Sequence, residues 1–473
     1  MFVDAGVGQV RALLGMVLVA LLCCPLVSVA SGSGYVDVTV VQAKSMIDSD
    51  PSIVILDVRA QSEYDSGHIR NAKLIPLGEL PGRLGELNEE DRILVHCKLG
   101  GRSSQASQIL ADNGFLYVFN MLGGVAAWTS EGYPVYVRYL SLQEAINGAV
   151  EGATLFVSAG TYHGSLVANK TVTMIGESRD TTVMDGDGAE NVISVESNDV
   201  GLSGFSVQSG ARGLYCENCN GTAISDMRVA YDALGSEGIH LFGCWFSRVS
   251  GNTIENASQG IVLSDSYSNV IDNNVVSRRS GCGLWLSYSD NNTLDSNALF
   301  SGISADGKGI ELEHSYHNIV TNNTIFDNDG TGVQSESSSG NLIYHNNMVN
   351  NSQNAYVANS SDIWDAGCPS GGNYWSDYTG TDGNGDGLGD SPYAIGGNLT
   401  DEYPLTNLFL EGDVNHDGEV DIFDVVKVCG IYGTAPASPK WNVNADIAEP
   451  YGVIDIFDVV KVCGNYGKAR RYP

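Results

Sequence analysis

The stretch VHCKLGGRSS, residues 95–104, sets Cys97 and Arg102 around four intervening residues, two of them glycines. An apolar run, RILVHC, stops at the cysteine, and SSQASQILADNG after it reads as a helix, with Ser103 expected as its cap and Gly114 as its stop. Strand, glycine turn and helix in that order aim successive backbone N–H groups and a helix start at one point. A thiolate held there gains those donors and the Arg102 charge, so Cys97 is predicted to ionise below an ordinary cysteine. Lys98, Leu99, Gly100, Gly101 and Ser103 complete the cradle. The ring is one residue shorter than the phosphate-holding loop of cysteine phosphatases, and suits a single extra sulfur on the cysteine. The competing reading is a binding module with an idle thiol.

A second chemistry is carried by oxygen ligands. In DVNHDGEV and the residues after it, Asp413, Asn415, Asp417, Asp421 and Asp424 fall at positions 1, 3, 5, 9 and 12 of a calcium loop. Glu419 stands at position 7 through its carbonyl, and Gly418 at the sharp turn. A copy follows: DIFDVVKVCG recurs at 421–430 and 455–464. The second loop keeps Asp446, Asp455 and Asp458, but gains a residue and has Ala448 and Pro450-Tyr451 where ligands belong, so weaker binding is expected. Asp382, Asn384, Asp386 and Asp390 alternate with glycines in a third calcium-like order; a solvated Asp/Gly turn is the alternative. Cys429 and Cys463 lie i+7 from Ile422 and Ile456 and are expected to be buried.

Between these sites a repeat sets the architecture. Gly238, Gly260, Gly283, Gly309 and Gly332 open segments spaced 22, 23, 26 and 23 residues apart. Apolar columns recur at fixed offsets: Ile239, Ile261, Leu284, Ile310, Val333; Val249, Ile271, Leu294, Val320, Ile343; and Ile254, Val276, Leu299, Ile325, Met348. Asn252, Asn274, Asn297, Asn323 and Asn346 form an asparagine column suited to hydrogen bonding between coils. These columns predict a parallel β-helix. They also place Cys216 and Cys219 in interior columns rather than in a redox or zinc pair. Cys219 and Cys244 then stack on adjacent coils, where a disulfide could form. Outward positions carry Trp245, Tyr267, Trp285, Tyr288 and Tyr316, a face on which sugar rings could stack. Glu313 and Glu336 share an outward column at a spacing that would suit a pair of glycosidase carboxylates; decoration of an acidic wall is the plainer reading.

The net charge of −32 argues against nucleic acid and anionic membranes as partners. The run ALLGMVLVALLCCPLVSVA predicts a secretory signal over residues 1–30; uncleaved, it would anchor the chain. Secretion or display at the cell surface is expected.

Resemblances sharpen this. ILDVR (55–59), EYDSGHI (63–69), Ala72 to Pro76, CKLGGRS (97–103) and LGGVAAW (122–128) resemble a single-domain rhodanese over 35–139. That resemblance implies an α/β sulfurtransferase, using thiosulfate or another donor, in which Cys97 takes sulfane sulfur, Lys98 to Arg102 cradle it and a thiophilic acceptor removes it. Residues 140–362 resemble the right-handed parallel β-helix solenoids of the pectate-lyase-like superfamily, in the branch of periplasmic copper-site maturation proteins. Residues 363–410 resemble the closing segment of such solenoids. Residues 411–471 resemble a type I dockerin, a small α-helical calcium-loop module, which implies calcium as cofactor and a cohesin-type partner. The sequence therefore predicts an exported modular protein: rhodanese, solenoid as spacer or polysaccharide-binding body, and dockerin. The alternatives are a non-catalytic adhesin and a carbohydrate-active hydrolase or lyase.

Overall fold

A computed structural model describes residues 34–231, 236–368, 370–385, 387–414, 418–435, 438, 445, 447–448 and 453–469. The signal segment 1–30 and the ligand candidates Asp386, Asn415, Asp417 and Asp446 lie outside the described residues. The chain divides into two compact units, 1–135 and 136–473. The second begins before the expected boundary at 139, because Val137 is already bridged to Val157 of the first coil.

The first unit is a five-stranded parallel sheet. Its strands are β1 (Val36–Val38), β2 (Val54–Asp57), β3 (Lys73–Leu74), β4 (Arg92–His96) and β5 (Tyr117–Met121), ordered β1-β5-β4-β2-β3. The helices are α1 (Val40–Ser49), α2 (Gln61–Asp65), α3 (Gly101–Asp112) and α4 (Gly124–Ser130). Alternation along the strands feeds two cores. Ile55 and Leu94 join Ala43, Val125 and Trp128 on one face, while Leu56, Ile93 and Val95 join Ala106 and Leu110 on the other. Both faces of a parallel sheet must be covered, which explains the nearly continuous apolar runs ILVH and VIL.

In the second unit a short helix, α5 (Leu142–Gly148), abuts the first coil, with Gln143 taking the Val167 N–H and donating to its carbonyl. Parallel strands then pair coil on coil: Ile239 with Ile261, Ile261 with Leu284, Leu284 with Ile310, Ile310 with Val333. All three apolar columns are buried, and a ten-stranded parallel sheet carries the Val249 to Ile343 column. The asparagine column is an interior ladder. From Asn274 onward each Asn oxygen accepts the backbone N–H and side-chain amide of the Asn one coil earlier, as when Asn274 donates to Asn297 at 3.0 Å twice, while Asn252 accepts the Met227 N–H. A second ladder, Asn269, Asn292, Asn318 and Asn341, runs beside it. Both end on carboxylates, Asp401 and Asp362, and burial pushes the Asp401 carboxyl up to about 7. The small-residue column of Cys219 and Cys244 continues through Ser266, Ser289, Ser315 and Ser338, whose hydroxyls accept N–H groups from the preceding coil.

The last segment packs two helices, α6 (Ile422–Gly430) and α7 (Ile456–Gly464), through Val428 and Val462. Asp421 and Asp455 cap them with capping boxes closed by Asp424 and Asp458. The expectation for the cysteines fails here. The buried stripe runs through Asp424 and Val428, so Cys429 and Cys463 are exposed together with Ile422 and Ile456. Among the described residues no helix is long and apolar enough to cross a membrane.

Asn297→Ala would strand two buried donors of Asn274. A loss of about 2–4 kcal/mol is expected, read as a lowered urea midpoint, whereas exposed Asp306→Ala on the same coil should shift it little.

Candidate functional site

Cys97 leaves the end of β4, and the chain turns at once into α3. Gly100 makes the turn with φ +100°, in the left-handed region, and is the true N-cap of α3. Ser103, expected there, sits inside the first turn and donates its hydroxyl to the Gly100 carbonyl at 3.0 Å. Gly114 does turn the chain out of the helix, at φ +91°. The loop's carbonyls are held from the other side. The N–H groups of Val125 and Ala126, at the start of α4, donate to Cys97 and Lys98 at 2.8 and 3.1 Å. A Cβ at Gly124 would collide with those same carbonyls, so glycine is required for this close approach.

The sulfur lies at the focus of this turn, and Cys97 as a residue is 2% exposed. The Gly100 N–H donates to Sγ at 3.1 Å. Burial opposes ionisation, but the Ser103 N–H and hydroxyl and the N–H groups of Leu99 and Gly100 outweigh it, and the thiol pKa is lowered. Arg102 keeps a coulombic attraction to the Cys97 thiolate, as the sequence predicts, but its side chain is also engaged elsewhere. Its two terminal nitrogens grip both oxygens of Glu63, each at 2.7 Å. The guanidinium beside it holds the Glu63 carboxyl down at about 2. Sequence reasoning quoted Glu63 within its motif and gave it no role; nothing in a separation of 39 residues marks the pair.

Beneath the loop, buried Asp57 and Arg59 pair at 2.6 Å, and Arg59 also donates to the Gly67 carbonyl at 2.8 Å, tying β2 to the turn after α2. His96 is fully buried, and desolvation pulls its pKa down to about 4, so it is a neutral packing residue. Lys98 and Leu99 point to solvent.

On the solenoid, Trp245, Tyr288 and Tyr316 are exposed, while Tyr267 and Trp285 are half-buried. Trp245 is bridged to Tyr267 on the next coil, and Tyr288 stacks on His314 at 4.8 Å. Glu313 and Glu336 pair in register on adjacent coils. Cys219 and Cys244 lie 3.5 Å apart at Sγ as free thiols.

In the acidic loops the carboxylates hold their own backbone. Asp382 accepts from Gly385 and Gly387, Asp390 accepts from Gly383, and Asn384 is exposed. Asp413 accepts from Gly418, and Glu419 is bridged to Ala469. In the second loop Asp458 takes the N–H groups of Ile447 and Ala448 with one oxygen and that of Asp455 with the other. The equivalent carboxylate of the first loop, Asp424, likewise accepts from the Asp421 N–H at 2.8 Å. Asp421 and Asp455 spend an oxygen on the Phe423 and Phe457 N–H groups.

Two family models match the chain: the rhodanese-like domain over residues 39–131, and NosD, a periplasmic copper-binding protein, over residues 163–380. The putative sulfur carrier protein YrkF of Bacillus subtilis is 39% identical over 101 residues, 21% of this chain; the chain spans 55% of YrkF's length. A sulfurtransferase of Allochromatium vinosum is 31% identical over 83 residues, 18% of this chain and 78% of that protein. The crystal structure of a rhodanese-related protein from Thermoplasma volcanium is matched along its whole length at 31% identity, over 22% of this chain, with a TM-score of 0.21. Residues 163–380 are thus a NosD-like parallel β-helix. Among the described residues, the group of three clustered metal-ligating side chains is His163, Asp185 and Asp187, one imidazole with two carboxylates, and not the sulfur and imidazole donors that select copper.

Alkylation rate of Cys97 against pH should show an inflection below that of a free cysteine, since the donors favour the thiolate. Ser103→Ala removes a donor and should move that inflection upward; no movement would deny the hydroxyl its part.

Proposed function

Because the chain belongs to the rhodanese-like family through residues 39–131, we propose that it is an exported sulfur-handling protein in which Cys97 carries sulfane sulfur as a persulfide. The observation that carries this reading is the convergence of N–H and hydroxyl donors on one buried sulfur. The Cys97 thiolate attacks the outer sulfur of a donor, the donor's sulfur–sulfur bond breaks, and the leaving group departs with the electron pair. An acceptor thiolate then attacks the terminal sulfur and returns Cys97 as thiolate. Lys98 to Ser103 would hold the added sulfur, and Arg102 would stabilise the loop through Glu63. Sulfur donors and acceptors are the partners this chemistry requires. A periplasmic family for the solenoid and the apolar segment in residues 1–30 support a site outside the cytoplasm. The solenoid serves as spacer, or as a polysaccharide-binding body through its aromatic face; a carbohydrate-active role for Glu313 and Glu336 is the lesser alternative.

Intact mass after exposure to a sulfane donor tests this. Wild type should gain one sulfur atom that cyanide removes, and Cys97→Ser should gain none. Absence of the adduct with every donor tried would leave the domain a binding module.

A second reading concerns residues 411–471. Matching exposed rows, Ile422, Phe423 and Val426 on α6 and Ile456, Phe457 and Val460 on α7, support a dockerin that presents two like faces to a cohesin-type partner. Asp413, Asn415, Asp417, Glu419, Asp421 and Asp424 would hold calcium in the first loop, a hard oxygen set that suits it. Asp382, Asn384, Asp386 and Asp390 would form a further calcium loop, and Asp446, Asp455 and Asp458 a weaker one. Chelation should abolish capture by an immobilised cohesin and calcium should restore it; capture indifferent to chelator would remove calcium from the reading.

A further inference from the structure

The persulfide reading leaves open which sulfur donors the Cys97 site accepts, and the charges around the loop bear on this directly. Thiosulfate is a dianion and its leaving group, sulfite, is another. A site that uses it needs uncompensated positive charge at the mouth of the loop. The cation fixed beside this loop is Arg102, and both of its terminal nitrogens are committed to Glu63 at 2.7 Å. The pair is therefore neutral as a unit. Arg59, the next cation inward, is matched by Asp57 and buried. His96 is buried and neutral, and His68 is buried and stacked on Tyr64 at 3.7 Å. Lys98 and Arg70 are exposed.

The rim has the opposite character. Leu99 is 71% exposed and Leu122 45% exposed. They are chain neighbours of Gly100 and Gly123, where loop and helix start approach so closely that a Cβ on Gly100 would lie 3.3 Å from the Gly123 nitrogen. Two leucines thus border the point where the Cys97 loop meets α4, and an organic group rather than an oxyanion gains from lying against them.

We infer that Glu63 is a specificity residue that cancels the Arg102 charge, so that the site prefers organic persulfides and thiols to thiosulfate and sulfite. This rests on the persulfide reading. The exchange is balanced: Cys97–S⁻ and R–S–SH give Cys97–S–SH and R–S⁻, one sulfur–sulfur bond breaking as another forms, with no external oxidant. An acceptor thiolate reverses the step.

The test uses the full chain and follows Cys97 persulfidation by quenched intact mass, with thiosulfate and with cysteine persulfide. Wild type should react with cysteine persulfide at least about tenfold faster than with thiosulfate, and Glu63→Gln should raise the thiosulfate rate by about tenfold, the scale of one uncovered charge near a protein surface. The gained thiosulfate rate should fall as salt is added, which a merely structural effect would not do. Glu63→Asp, which draws the carboxylate back by one methylene, should move the ratio the same way and serves if the glutamine variant folds poorly. Equal wild-type rates, or a ratio unmoved in both variants, would overturn the inference while the persulfide reading stands. A fast wild-type thiosulfate reaction lost in Lys98→Ala would also overturn it, because the working cation would then be Lys98. No adduct from either donor would end both.

Discussion

A backbone N–H taken out of water must meet an acceptor, and this chain meets that demand by different means in its two units. In the solenoid, strands on successive coils satisfy one another, but the corners between strands do not. There the interior Asn and Ser columns supply an oxygen to each orphaned N–H, coil after coil. In the N-terminal unit the corner between β4 and α3 has the same problem, because the first turn of any helix leaves donors without partners. A side-chain oxygen is the common remedy. Here the sulfur of Cys97 stands where that oxygen would, and an acceptor position becomes a reactive one.

This origin of the site explains why its glycines and its donors come as a set. Gly100 must adopt a positive φ for the N–H groups to face inward, and Gly124 must lack a Cβ for α4 to reach the loop's carbonyls. The thiol's lowered pKa then follows from the N–H groups of this turn together with the Ser103 hydroxyl. A guanidinium drawn to a carboxylate 39 residues upstream changes the charge of the cradle without changing any of its letters.

Much of this was legible in the sequence because it is periodic or local. The apolar columns, the asparagine ladder from Asn252 and the interior placing of Cys216, Cys219 and Cys244 all follow from a constant offset within each coil. The second ladder, Asn269 to Asn341, carries the same signal, a constant offset within each coil. What was hidden depended on three-dimensional pairing. The Glu63–Arg102 fork joins segments with no common period. Ser103 has the right residue type for a helix cap, yet the tight turn at Gly100 takes that position first. Cys429 and Cys463 were misplaced because one residue of rotation on a short helix, about 100°, exchanges the buried and exposed faces.

The direction of the asparagine ladders has an evolutionary corollary. Each amide hands hydrogen onward and receives it from behind, so a coil bearing Asn at both corners can be inserted or deleted in mid-stack and the neighbours notice no difference. Asp362 and Asp401 have no amide to hand onward, and act as full stops. The number of coils is thus a word whose length can be edited from within while its final punctuation is kept.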